Sequence, residues 1–332
     1  MMETTGWFEK RAIIVKRTSK IRIGEGKPLR ILEYLGGRFT YRDAAGWAAE
    51  IAAGRIIVNG VAATAETILR CGDEMEYLPE MRPEPEVDEN VTVVYEDGDF
   101  LALCKSGNLP CHPAGIFFNK TLWAMLKEGR VQDIAPLEEI HFVNRLDRET
   151  SGLVLVAKNS RAAKMAARAM TRDEACKEYC VVVEGEFPDE LLAEGWLWED
   201  ERSAVKKKRR FGMEHPENAM DAETAVTSFR CMRRGNGLSL LLAMLGTGRT
   251  HQIRATLCSL GYPVVGDKLY GVDDEIYLRF VKGLLTEADK RRLRIGRQAL
   301  HACHLRFPLP QGRTLDLRTD WPDFEKILDN SH

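Results

Sequence analysis

The sequence lacks any apolar run of membrane length. Stretches such as Leu153 to Ala157 are strand-sized, far short of the ~18–20 residues a spanning helix needs. The opening residues, MMETTGWFEKR, hold no apolar core of a secretory leader. Cysteine is sparse: eight residues in 332, none paired as CxxC. That excludes a disulfide scaffold, so reduced thiols and a cytoplasmic, membrane-free protein are expected. Net charge is almost absent, with 48 basic against 50 acidic residues. This balance excludes a histone-like polycation and a disordered acidic tail. It leaves room for a local basic face that binds phosphates. No internal repeat is visible.

What is present suits two domains, since 332 residues with 44% hydrophobic content can bury sizeable cores. Residues 1–27 read as an N-terminal arm, with RAIIVKR its only strand-like piece. Residues 28–80 read as a small α/β unit. Leu29, Ile31, Leu32 and Leu35 suit a first helix ended by Gly36-Gly37. Thr40 and Asp43 resemble a capping arrangement for a second, running to about Ala53. Ile56 to Val58 then turns at Asn59-Gly60, a strong hairpin signal. The acidic, proline-containing stretch 79–88 places a linker at 81–90. From residue 91 to about 325, strands outnumber helices and many could pair antiparallel, which favours α+β. Strands are expected at 91–96, 100–105, 153–157, 179–184 and 239–245, with helices at 121–127, 160–170 and 250–260. Residues 187–225 look polar and irregular.

Three places carry chemistry. Asn144-Arg145-Leu146-Asp147-Arg148-Glu149-Thr150-Ser151-Gly152 runs straight into an apolar strand. A carboxylate between two arginines is held ionised by its neighbours, though a salt-bridged surface loop is the commoner meaning of such a run. Gly246-Thr247-Gly248-Arg249-Thr250-His251-Gln252-Ile253-Arg254 leads glycines into a helix, with His251 and Arg254 on one face. These basic groups could meet a phosphate or the Asp147 carboxylate. Lys177-Glu178-Tyr179 opens a strand, where the tyrosine either packs in the core or offers a stacking surface to a base.

Together, NRLDRETSGLVLVAKN (144–159), KEYCVVVEGE (177–186), TGRTHQIRATLCSLGYPVVGDKLYG (247–271) and QALHACHLRFPLP (298–310) resemble the RluA-type pseudouridine synthases. FLALCKSGNLPCHP (100–113) is a weaker match in the same order. The front unit, with GRIIVNG and GDEM, resembles the S4 RNA-binding module. The resemblance implies a pseudouridine synthase fold over 91–325: a mostly antiparallel mixed sheet with flanking helices, behind an α/β S4-like domain. It implies that Asp147 is the catalytic aspartate, Tyr179 the active-site tyrosine and Arg254 the cation paired with Asp147. Arg145 matches the arginine of the same motif, and Arg249 and His251 take RNA-binding or structural roles. Two departures stand out. Asn144 replaces the usual His, which bears on a contact to the base or RNA backbone, and Ser106 follows Lys105 where proline is usual, which loosens a loop.

The reaction implied is the isomerisation of uridine in structured RNA to pseudouridine. The N1–C1′ bond breaks, the uracil turns, and C5 bonds to C1′. No atom is added and no redox step occurs, so no cofactor and no metal are expected. One ionised carboxylate serves, as nucleophile or as base. The target must be flipped out of the RNA at a cost of a few kcal/mol, which stacking on Tyr179 can offset in part. Candidate RNA contacts also include Arg148, Thr150, the helix stripe Arg161, Lys164, Arg168 and Arg172, and the run Lys206, Lys207, Lys208. The cluster Arg291, Arg292, Arg294 and Arg297 is a further basic stretch. Large-subunit ribosomal RNA is the first expectation and transfer RNA the second, for a monomer. A non-catalytic RNA-binding protein and a glycoside hydrolase with a second acid are the competing classes. No second carboxylate has comparable surroundings apart from Glu149 and Asp267, whose positions suggest turns. His301, Cys303 and His304 read as structural rather than as metal ligands.

Overall fold

The computed structural model describes residues 17–20, 28–39, 42–78, 83–170, 175–205, 208–217, 219–273 and 275–329. The chain divides into two compact units, Met1–Pro85 with Pro113–Asn119, and Glu86–His112 with Lys120–His332. The RAIIVKR piece up to residue 16, Thr40, Arg172, Lys206 and Lys207 lie outside the described residues.

In the smaller unit, strands β1 (Arg17–Lys20), β3 (Ile56–Val58), β4 (Val61–Ala62) and β6 (Glu74–Tyr77) form a sheet in the order β1-β6-β3-β4, and β2 (Leu29–Arg30) pairs with β5 (Ile68–Leu69). Asn59 and Gly60 both take positive φ, 51° and 81°, the geometry a two-residue hairpin turn demands. Helices α1 (Ile31–Arg38) and α2 (Ala44–Ala52) cover a core of Ile31, Leu35, Trp47, Ile51, Ile56 and Leu69. Asp43 caps α2 by accepting the Gly46 N–H at 2.7 Å. Against expectation, α1 runs through Gly36-Gly37 to Arg38. Each helical glycine costs about 1 kcal/mol, and burial of Ile31, Tyr34 and Leu35 on the preceding turns outweighs that.

The larger unit is built on one eleven-stranded sheet, ordered β13-β12-β14-β15-β11-β16-β10-β8-β7, with β17 on β16 and β9 on β10. The strands are β7 (Val91–Glu96), β8 (Phe100–Lys105), β9 (His141–Phe142), β10 (Ser151–Ala157), β11 (Cys176–Glu184), β12 (Glu190–Glu199), β13 (Arg209–Gly212), β14 (Glu223–Gly235), β15 (Leu238–Leu245), β16 (Leu300–Pro308) and β17 (Thr314–Arg318). Every pairing is antiparallel except β10 with β16. The flanking helices are α3 (Leu122–Glu128), α4 (Ser160–Ala169), α5 (Gln252–Ser259), α6 (Glu275–Val281), α7 (Glu287–Leu293) and α8 (Glu325–Asp329). The architecture is α+β, as the sequence suggested.

One difference in this unit has a physical cause. Residues 187–225 are not irregular, since they contain β12 and β13. The inward positions of β12 are Ala193, Gly195 and Leu197, too small a set to register as an apolar stripe. Within 81–90, Asn90 accepts the Ser106 N–H and Asp88 donates its N–H to Asn108. The end of that stretch is therefore tied to the larger unit.

The centre of the sheet positions the site. Strand β10 is buried along its whole length, and residue 147 lies in the loop that enters it. Gly152 has φ 111°, and a Cβ there would stand 2.2 Å from the Ala302 carbonyl oxygen. Only glycine lets β10 lie this close to β16.

Candidate active site

Asp147 stands in the loop before β10, Tyr179 on β11, and Arg254 in the first turn of α5. The chain enters α5 through His251, held at φ 58°. Gln252 fixes that turn with four hydrogen bonds. Its Nε2 donates to the Val226 carbonyl and Thr227 Oγ1, and its Oε1 accepts from Arg249 N–H and Thr247 O–H. The residue is buried, and all its polar capacity is used.

Arg254 Nη1 donates to Asp147 Oδ2 at 2.6 Å. The same guanidinium forks onto Asp267, Nε to Oδ2 at 2.6 Å and Nη2 to Oδ1 at 2.9 Å. Asp267 Oδ1 also accepts the Leu269 and Tyr270 N–H groups, each at 2.9 Å. The Tyr270 ring lies under the guanidinium, 4.9 Å from its carbon. The Tyr270 hydroxyl accepts the Arg209 N–H and lies 2.9 Å from His251 Nδ1. His251 Nε2 in turn stands 3.7 Å from Asp147 Oδ1. Exposure grades along this relay: Asp267 is fully covered, Arg254 9% exposed and Asp147 32%.

Burial by itself raises the Asp147 pKa. The Arg254 charge, then that of His251, then the Arg254 hydrogen bond outweigh it and hold the carboxyl below its ordinary value. Asp267 is lowered in the same way, against burial, chiefly by Arg254. Burial and the Asp147 charge push the Tyr179 phenol well above its ordinary range, so it stays neutral.

One pocket of about 80 Å³ brings together Arg145, Asp147, Thr150, Tyr179, Arg249, His251 and Arg254. The motifs at 144–152, 179 and 247–254 thus converge. Thr150 is almost wholly buried and receives the Gln298 amide on its hydroxyl. Arg249 pairs with Glu223 at 3.2 Å. Arg161, Lys164 and Arg168 stand exposed on α4 and line a different cavity, with Met165, Pro308 and Pro310. Two expected RNA contacts face elsewhere. Arg148 pairs with Glu149 and lies over the Phe280 ring, 5.1 Å from its centre, so Arg254 and His251 rather than the flanking arginines hold Asp147 ionised. Lys208 is buried, with Nζ 5.9 Å from the Tyr270 ring centre. Neither alternative acid serves as a second pocket carboxylate. Glu149 is bound through both oxygens by Lys268 at 2.8 Å, and Asp267 is sealed behind Arg254.

The supporting role of Lys105 escaped the sequence reading. Lys105 is 1% exposed, and its Nζ donates to the carbonyls of Ser106, Arg148 and Thr150. It fastens the stretch just after Asp147 to the end of β8, and its burial lowers its own pKa to about 8. Ser106 does not loosen that region: its N–H and hydroxyl donate to Asn90 and Asp88, and proline could make neither bond. Asn144 is committed to the protein backbone. It donates to Leu153 O at 2.9 Å and accepts Leu155 N–H at 2.8 Å, so it offers its amide to β10 rather than to RNA. His301 is bracketed by Ser151 and Thr319 hydroxyls, and burial first, then nearby cations, lower its pKa to about 4.

Comparison with known proteins agrees with this geometry. The family model for RNA pseudouridylate synthase matches residues 99–259. An uncharacterized RNA pseudouridine synthase of Chlorobaculum parvum is 31% identical, over 91% of this chain and 94% of its own. The ribosomal large subunit pseudouridine synthase D of Haemophilus ducreyi is 32% identical, over 77% of this chain and 75% of its own. The solved structure of human RNA pseudouridylate synthase domain containing 1 aligns with a TM-score of 0.56 at 25% identity, covering 74% of this chain and 89% of that one. The chain belongs to the RNA pseudouridylate synthase family. It is an isomerase that converts uridine in RNA to pseudouridine.

Proposed function

We propose that Asp147 is the carboxylate that drives this isomerisation, that its substrate is large-subunit ribosomal RNA, and that the smaller unit is an S4-like RNA-binding module. The observation that carries the reading is the Asp147–Arg254–Asp267 relay beside Tyr179 in one pocket. A reaction that moves no net charge and adds no atom needs one well-placed ionised group. Arg254 keeps it ionised, and a neutral Tyr179 ring offers a flipped uracil a stacking face. Arg145 and Arg249, at the pocket, and Arg161, Lys164 and Arg168, on the α4 stripe, meet the RNA backbone. The ribosomal substrate is supported by the large-subunit synthase among the relatives and by a module suited to structured RNA. The enzyme acts as a cytoplasmic monomer.

The test is a map of pseudouridines in ribosomal and transfer RNA from cells lacking this protein, with and without complementation. The reading predicts that one or more large-subunit positions revert to uridine and return on complementation. Loss confined to transfer RNA would overturn the ribosomal assignment, and an unchanged map would overturn both.

A further inference from the structure

Cys176 and Glu178 are two residues apart on β11, so their side chains leave the same face of the strand. His304, on β16, stands opposite Glu178 in the strand register. The three donors converge: Cys176 Sγ is 3.5 Å from Glu178 Oε1 and 4.0 Å from His304 Nδ1, and His304 Nδ1 is 3.1 Å from Glu178 Oε2. Tetrahedral zinc, with bonds near 2.3 Å to sulfur and 2.0–2.1 Å to nitrogen or oxygen, holds its donors about 3.3–3.6 Å apart. The three separations bracket that range, and among the described residues no other group of three His, Cys, Asp or Glu side chains has its donor atoms all within 4.8 Å of one another.

The second nitrogen of the imidazole is also provided for. His304 Nε2 lies 2.9 Å from Asp316 Oδ1, on the neighbouring strand β17. Metal-ligating histidines almost always give their outer nitrogen to a carboxylate or carbonyl, which turns the inner one to the ion. The metal-free alternative is a protonated His304 held between two carboxylates, with the Cys176 thiol donating to Glu178 Oε1, and metal titration separates the two. The sequence reading grouped His304 with His301 and Cys303 and took all three as structural. His301 and Cys303 bond Ser151, Thr319 and the Glu178 carbonyl, and the partners of His304 come from across the sheet.

We propose that Cys176, Glu178 and His304 form a binding site for a zinc-class divalent cation, with Asp316 orienting the histidine and water completing the shell. One thiolate, one imidazole and one carboxylate favour zinc over the hard cations magnesium and calcium. Binding takes the thiolate, so the Cys176 proton passes to solvent. The ion would tie β11 to β16 where their register shifts, between Glu178 and Tyr179. It thereby steadies the strand that carries Tyr179 and takes no part in the bond-making.

The experiment uses the full chain, stripped with a chelator and titrated with Co²⁺ as a coloured stand-in for Zn²⁺. The wild type should develop a thiolate-to-cobalt charge-transfer band that saturates at one equivalent and is bleached by Zn²⁺. Cys176→Ser and His304→Gln should each weaken the metal at least tenfold, and Cys71→Ser, at an exposed cysteine, should leave the band unchanged. Cys176 begins its strand and is half-buried, so its variant decides the matter should the His304 variant fold poorly. Absence of the band in the wild type, or its persistence in Cys176→Ser, would overturn the proposal.

Discussion

Arg254 is one cation shared between two carboxylates, and that sharing sets the pH behaviour of the site. Asp147 is held below its ordinary pKa, so it stays ionised through the neutral range. The acid limb of kcat/KM should therefore lie below ~4, the ordinary aspartate value. Arg254→Gln removes the largest lowering influence while burial remains. The Asp147 pKa then rises, and the acid limb should move upward with it. Arg254→Lys keeps the charge and loses the planar fork, so it should fall between the two. An acid limb that stays in place in Arg254→Gln would remove the pairing from the account. The same substitution leaves Asp267 buried without its partner, at a cost of about 3–5 kcal/mol, so the profile is taken on protein checked by thermal melting. Asp267 follows the same sign. Its folded pKa is depressed, so its contribution to stability is full above ~4 and lost as pH falls through the folded value.

At the scale of elements, the most constrained point is where β10 meets β16. Gly152→Ala would put a methyl group 2.2 Å from a backbone oxygen at a φ that side chains rarely adopt. It should cost on the order of 3 kcal/mol or more in denaturant unfolding and lower activity with it. Gly36 is the contrast: a Cβ there meets nothing within 4 Å, so Gly36→Ala should stabilise α1 by up to about 1 kcal/mol. Equal effects from the two would contradict the reading of both. Elements were legible where their chemistry was local. β10 announces itself by an unbroken apolar run, and the 59–60 turn by Asn-Gly. β12 was hidden because Ala193 and Gly195 fill inward positions through packing against neighbouring strands, which no local pattern records. The site divides likewise. Asp147, Tyr179 and Arg254 stand in dense motifs, and the three-residue spacing of His251 and Arg254 matches their common approach to Asp147. Lys105, Asp267 and Tyr270 act through contacts far apart in sequence. Arg148 and Lys208 looked like RNA contacts because the sequence shows charge and not direction.

At the scale of the molecule, the two units have separate cores. Removal of residues 1–80 retains Glu84, which accepts the Phe118 and Asn119 N–H groups. The remainder should fold and retain synthase activity, with modestly weaker RNA binding and a shallower dependence of affinity on salt. Affinity and salt slope both unchanged would show that residues 28–80 are no RNA module. Failure to fold would show that the cut falls inside a cooperative unit.

The central claim is that one ionised carboxylate does the chemistry, and Asp147→Asn tests it most directly. The substitution keeps size and shape and removes the charge. Single-turnover conversion of uridine in a bound RNA substrate should fall at least a hundredfold, about 2.7 kcal/mol or more in the barrier, with RNA affinity nearly unchanged. Turnover within a hundredfold of wild type would contradict the claim.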